Sequence, residues 1–144
     1  MIEIIINYII PISGAVTLAC FVGYINWRSS FKVRRANACA IFRDSIMSEL
    51  GSIYPQVDTW PDDIDSFLRH RFTALQVTIE NYRPFVSWWK RGRFDAAWFR
   101  YRCSTGREID TRCYHHYMSF EDNPNYKIIF YKNVHRILKF ANET

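Results

Sequence analysis

The sequence predicts an all-α protein: an N-terminal transmembrane helix followed by a small cytoplasmic helical bundle. Three observations predict it. The first 27 residues hold one charge, Glu3, and every other charge follows them. Apolar residues after Arg28 recur mostly at helical spacing. Pro and Gly, five each in 144 residues, fall mainly between those periodic stretches. Hydrophobic residues at 49% and charged residues at 23% argue for a folded chain and against disorder. The mass of 17.3 kDa suits one domain plus an appendage.

Residues 1–27 are read as the span, with the amino end outside. From Ile4 to Trp27 there are 24 residues without Asp, Glu, Lys, Arg or His. As a helix they would cover about 36 Å, against a hydrocarbon core about 30 Å thick. A helix is the form that satisfies its backbone there. Pro11 is tolerated in such a segment better than in a water-soluble helix. Tyr8, Tyr24 and Trp27 suit the interfaces. A cleaved signal peptide would want a basic start and a shorter apolar stretch. The Thr17-Leu18-Ala19-Cys20 sequence is a poor lipobox, and few soluble cores need an uncharged run of this length. Arg28, Lys32, Arg34 and Arg35 follow the span, with no Lys or Arg before it. The positive-inside rule puts residues 28–144 in the cytoplasm and sets this cluster against anionic lipid head groups. Ala15, Ala19 and Gly23 recur every four residues, a spacing that lets two spans pack closely. Small residues are also common in any span.

Residues 28–54 are expected as a basic juxtamembrane helix, and residues 55–144 as the helical domain. Phe42, Ile46, Leu50 and Ile53 form a helical stripe that Ala36, Ala38 and Cys39 extend backward, with Gly51 and Pro55 at its end. No breaker separates Trp27 from this stripe. A second helix follows, capped by Asp58 or Thr59, with Pro61 in its first turn and Asp62, Asp63 and Asp65 facing the positive end of the dipole. Those three carboxylates also resemble a metal site, but capping accounts for them without a ligand. The helix carries Ile64, Phe67, Leu68, Leu75, Ile79 and Tyr82, and Pro84 ends or bends it. Phe94, Ala97, Trp98 and Tyr101 mark a third helix. A loop runs to about Asn123, with a short strand over Cys113 to Phe120 only weakly supported. The last helix starts with Pro124 at its first position and carries Tyr126, Ile129, Phe130, Val134, Ile137, Leu138 and Ala141.

Enzyme chemistry finds little footing. Nucleophile elbows, zincin helices, phosphate-binding loops and dinucleotide fingerprints are all missing from the sequence. Cys103, Cys113, His115 and His116 are the nearest approach to a zinc set. Adjacent histidines rarely share one tetrahedral metal, and no CxxC pair accompanies them. A cytoplasmic setting also disfavours a disulfide between Cys103 and Cys113. His70 and His135 sit on amphipathic helices, where packed or half-exposed histidines are commoner than bases. No catalytic residue, metal or cofactor is assigned.

Residues 82–102 interleave cations and aromatics: Arg83, Trp88, Trp89, Lys90, Arg91, Arg93, Arg100 and Arg102 are the candidate ligand-binding set. Three physical readings compete. Trp with Lys and Arg suits a surface that dips into head groups. Phe94, Trp98 and Tyr101 suit a core with arginines laid over it. Aromatic and cationic side chains together also suit nucleotides or nucleic acid, the weakest of the three, because a basic pI is expected of an inner-membrane protein.

Ala38 to Arg43, His70 with Ala74 and Tyr82-Arg83-Pro84-Phe85, Phe94 with Ala97-Trp98 and Tyr101, and Ile137-Leu138-Lys139-Phe140-Ala141 together form a pattern. It resembles a group of small bacterial single-span inner-membrane proteins to which no activity is assigned. The resemblance implies an inner-membrane setting and a helical cytoplasmic domain. The expectation is therefore a non-enzymatic, membrane-anchored interaction or scaffold module, oligomeric, whose partners are the bilayer and itself or another membrane or cytosolic protein. The alternative is a membrane effector or sensor whose basic-aromatic domain binds an anionic ligand, a nucleotide or lipid head group.

Overall fold

The computed structural model describes residues 10–55, 60–103, 112, 114–119 and 124–142, with side chains from Val16 onward. Four helices make up the described chain: α1 Ile10–Leu50, α2 Ile64–Tyr82, α3 Trp88–Arg102 and α4 Tyr126–Asn142. Two 3-10 turns, Arg83–Phe85 and His115–Tyr117, complete it, and the described residues include no strand. The expected all-α class is what is seen. The chain divides into two compact units, residues 1–36 and residues 37–144.

In the first unit, α1 continues through Pro11 and past Trp27 without a break. Val16, Leu18, Phe21, Val22, Tyr24, Ile25, Trp27, Phe31 and Val33 are all exposed. Among the described residues no helix is long and apolar enough to cross a membrane. Residues 1–9 of the expected span, the interface residue Tyr8 among them, lie outside the described residues.

The second unit holds the core. It begins on the tail of α1, where Cys39, Phe42, Ile46 and Leu50 are buried at steps of three and four residues. Ile53 joins them from the turn after the helix. The backbone N–H groups of both Ile53 and Tyr54 reach back to the Leu50 carbonyl at 2.9 Å. Gly51 is required by close approach: a Cβ there would meet the Met47 carbonyl oxygen at 2.7 Å. The segment expected to be juxtamembrane thus supplies one wall of the domain.

α2 starts later than expected. Asp63 is its cap, and its Oδ1 accepts from the Ser66 N–H at 2.9 Å. Pro61 precedes the helix, and Asp58 and Thr59 lie outside the described residues. Asp65 bonds Arg69 at 2.6 Å and accepts from the Tyr114 N–H at 3.0 Å. Asp63 thus takes the capping role expected of Asp58 or Thr59, and Asp65 is taken up by an arginine and a distant backbone N–H. α4 also starts later than expected, at Tyr126. Pro124 belongs to a turn, and the Asn125 carbonyl accepts the first helical bond, from Ile129 at 3.0 Å. The suggested strand over Cys113 to Phe120 is a correction: its described part is the His115–Tyr117 turn, with Tyr117 buried.

Two aromatic clusters lock the helices. Phe42 of α1 stacks on Tyr82 of α2 at 4.2 Å, and Phe94 of α3 meets Phe42, Tyr82 and Phe140 of α4 at 6.1, 5.8 and 5.3 Å. Tyr101, Tyr114, Tyr117 and Phe130 form the second cluster, at 5.2 to 6.4 Å.

Helix ends inside this core need partners for their orphan carbonyls. The Tyr82 hydroxyl donates to the Phe140 carbonyl at 2.9 Å, and Arg43 Nη2 donates to Ala141 at 3.4 Å. With its proton committed there, the Tyr82 oxygen accepts from Cys39 Sγ at 3.3 Å. At the end of α3 the Tyr117 hydroxyl donates to the Tyr101 carbonyl at 2.9 Å, and Asn133 Nδ2 donates to Tyr117 at 2.9 Å. Asn133 is the one polar residue the buried set contains among the described residues, and the apolar periodicity of α4 gave no signal for it.

Candidate functional site: a basic cleft between α3 and α4

The interleaved segment 82–102 separates into structural and available cations once α3 is formed. Arg83 is structural. Its Nε and Nη2 donate to Asp95 at 2.9 and 2.8 Å, a bidentate pair. The Arg83 hydrogen bond holds the Asp95 carboxyl below its ordinary range, and Asp95 raises the guanidinium in turn. Arg91 is also structural: it donates to the Val86 and Pro84 carbonyls at 3.2 Å each and closes the 3-10 turn that Pro84 forces. Arg102 lies over the rings of Trp98, Phe99 and Phe72 at 5.3, 5.8 and 5.9 Å. These three lie outside the basic cleft and are tied to the fold. Their interleaving with aromatics reflects a core with arginines laid across it.

Lys90, Arg93 and Arg100 behave differently. They fall on one face of α3, at spacings of three and seven residues. Across from them stand Arg136 and Lys139, one turn apart on α4. Together with Ala96, Ala97 and Phe140 they line a cleft of about 350 Å³. Every charged residue around this cleft is a cation. Among the described residues Arg93 and Arg100 have no ion-pair partner. Arg136 is oriented from behind, its Nη1 donating to Asn133 Oδ1 at 3.1 Å. Asn133 is itself held by Tyr117 and reaches the Arg100 carbonyl at 3.4 Å. Sequence reasoning named three of the five cations. It missed Arg136 and Lys139 because it sought a contiguous run, whereas the cleft joins helices far apart in the chain. Their own spacing beside Phe140 was the available signal.

On the other side of α3 a more open groove of about 590 Å³ carries the Arg83–Asp95 pair and Glu80. One helix thus carries an Arg–Asp pair on one side and, on the other, Arg93 and Arg100 without an ion-pair partner among the described residues. Trp88 and Trp89 open α3 at 76% and 63% exposure, their rings edge to face at 5.8 Å. The sequence spacing alone placed only Phe94 to Tyr101 in this helix.

In the first unit Arg28 and Lys32 share a face with Tyr24, one turn apart. Arg34 is exposed and Arg35 half-buried. Ala19 and Gly23 are exposed, and a Cβ at Gly23 would meet nothing within 4 Å. The Ala15 side chain lies outside the described residues.

Of the groups considered for chemistry, His115 and His135 are exposed and His116 is half-buried. His70 Nδ1 donates to the Ser66 carbonyl at 2.7 Å. Cys39 and Cys103 are buried, and Cys113 lies outside the described residues. Among the described residues no group of three or more His, Cys, Asp or Glu side chains could hold a metal ion. No family model matches the chain, and neither a curated protein nor a solved structure matches it.

Proposed function

We propose that the chain is a single-span membrane protein whose N-terminal helix anchors a small cytoplasmic domain that works as a non-catalytic interaction module. One observation carries this reading. Between Val16 and Trp27 the helix α1 exposes large apolar side chains in nearly every direction and no charge at all. A water-facing helix would show a polar stripe, whereas an all-round apolar helix belongs in lipid or a large core. Arg28, Lys32, Arg34 and Arg35 then mark the cytoplasmic, head-group side. Trp88 and Trp89 supply the exposed aromatic surface on which a protein partner would dock, since paired tryptophans are costly to leave in water. The open Ala19 and Gly23 positions favour contact between two copies of the span. The engagement of His70 and Cys39 in structural bonds supports the non-catalytic reading.

Carbonate washing of membranes tests the anchor, and a C-terminal reporter tests its direction. Retention in the pellet with cytoplasmic reporter activity is expected. Release into the wash, or activity confined to the outer side, overturns the proposal. Cysteine crosslinking at Ala19 and Gly23 is expected to trap dimers, and a series giving monomers alone removes the self-association.

A further inference from the structure

We infer that the α3–α4 cleft is a binding site for a multiply ionised phosphate group, either a phosphoanhydride or a phosphomonoester. The inference is independent of the anchor, because the cleft is built wholly within residues 90–140.

Five cations line about 350 Å³, with no carboxylate among the described lining residues, and like charges gathered around one space favour an anion. The other arginines of residues 82–102 are taken up locally, Arg83 by Asp95, Arg91 by backbone carbonyls and Arg102 by rings. That Arg93, Arg100 and Arg136 are left facing a common space is the departure to be explained. The floor of Ala96, Ala97 and Phe140 is apolar and mostly short, so it offers no competing acceptor and leaves room between the arms. The volume is at the lower end of small-molecule sites, about 300–1,000 Å³. It suits a terminal phosphate with part of whatever bears it.

The chemistry selects phosphate over a simple carboxylate. Guanidinium forks present paired N–H donors that match two oxygens of one anion. Three such forks offer more donors than one carboxylate can accept. A phosphate dianion offers three strong acceptor oxygens, and two linked phosphates offer more. Arg136 uses one of its five N–H donors on Asn133, which fixes its direction and leaves the others for a ligand. Asn133 in turn is fixed by the Tyr117 hydroxyl at 2.9 Å. The site therefore has one preoriented arm rooted in the core and two on the facing helix.

A free phosphoanhydride and a phosphate-bearing lipid share this chemistry, and the test separates them. The full chain, purified in neutral detergent, is titrated with pyrophosphate by calorimetry at fixed ionic strength. In a second arm phosphatidic acid is added to the same detergent and the thermal unfolding shift is read. Saturable pyrophosphate binding, weakened about tenfold or more in Arg93→Gln with Arg100→Gln, assigns a free ligand. No pyrophosphate binding, but a stabilisation by phosphatidic acid that the same variant abolishes, assigns the lipid headgroup. Lys132→Gln, exposed on α4 and away from the cleft, is expected to match the parent chain in both arms. Arg93→Lys with Arg100→Lys keeps the charge, removes the forks and gives an intermediate loss; it also serves if the glutamine variant does not fold. Binding in neither arm, or binding that the glutamine and lysine variants leave unchanged, overturns the inference.

Discussion

Raising the pH should unfold the domain through three tyrosines. Tyr101, Tyr114 and Tyr117 are fully buried in one cluster. Burial pushes each hydroxyl well above its ordinary range; for Tyr101 the neighbouring phenols add to the shift, and for Tyr117 the Asn133 hydrogen bond opposes it. An unfolded tyrosine ionises near 10. Above that pH the unfolded chain binds fewer protons than the folded one, so stability falls as pH rises; below it these groups contribute no slope. At about pH 11 one such tyrosine costs about 1.4 kcal/mol, and three cost about 4 kcal/mol. Total stability of an ordinary domain is about 5–15 kcal/mol, so the loss is decisive. The assay is denaturant unfolding of the full chain in neutral detergent across this range, with phenolate absorbance followed in parallel. Tyr101→Phe and Tyr114→Phe should each remove about a third of the tyrosine-dependent slope, which isolates it from lysine and cysteine titration. Phenolate formation by all three near pH 10 while the chain stays folded would refute the reasoning, as would a slope unchanged by both substitutions.

Near neutral pH the same tyrosines should part company. Tyr117→Phe strands the Tyr101 carbonyl and Asn133 and should cost about 2–3 kcal/mol. Tyr101→Phe and Tyr114→Phe remove hydroxyls that are buried without a hydrogen-bond partner among the described residues, so denaturation midpoints should stay level or rise. Phe42→Ala should cost about 3–5 kcal/mol, because its ring joins three helices, and a melt within 1 °C of the parent, where about 4–8 °C per kcal/mol is expected, would contradict the packing. Gly51→Ala should destabilise by about 1–3 kcal/mol in thermal melts, since its Cβ meets backbone rather than a movable side chain. Trp88→Ser with Trp89→Ser should leave stability within about 0.5 kcal/mol while reducing the proteins co-purified from native membranes; undiminished capture would discharge the two tryptophans from partner binding.

Periodicity made most of the helical architecture readable in advance. Phe42, Ile46 and Leu50, or Phe94, Ala97 and Trp98, can be assigned to a buried face from spacing alone because a helix repeats every 3.6 residues. Helix starts were less legible. Asp63 caps α2 because its side chain meets the Ser66 amide, a placement that residue type alone does not single out among neighbouring Asp and Thr residues. Asn133 was invisible because its burial follows from two partners outside its own helix, Tyr117 and the Arg100 carbonyl. The candidate site was half legible for the same reason. Arg83 and Arg93 look equivalent in a string of letters, and only Asp95 pairing with the former tells them apart.

Where to trim this molecule is decided by α1. Its backbone ladder runs without interruption from Ile10 to Leu50, so hydropathy puts the natural cut after Trp27 and a glance at breakers puts it near Gly51. The second choice would discard Cys39, Phe42, Ile46 and Leu50 and leave the remaining three helices around a trough. A fragment meant to keep the second unit whole should be cut no later than Ala36, keeping the fourteen residues that follow as scaffolding for everything downstream.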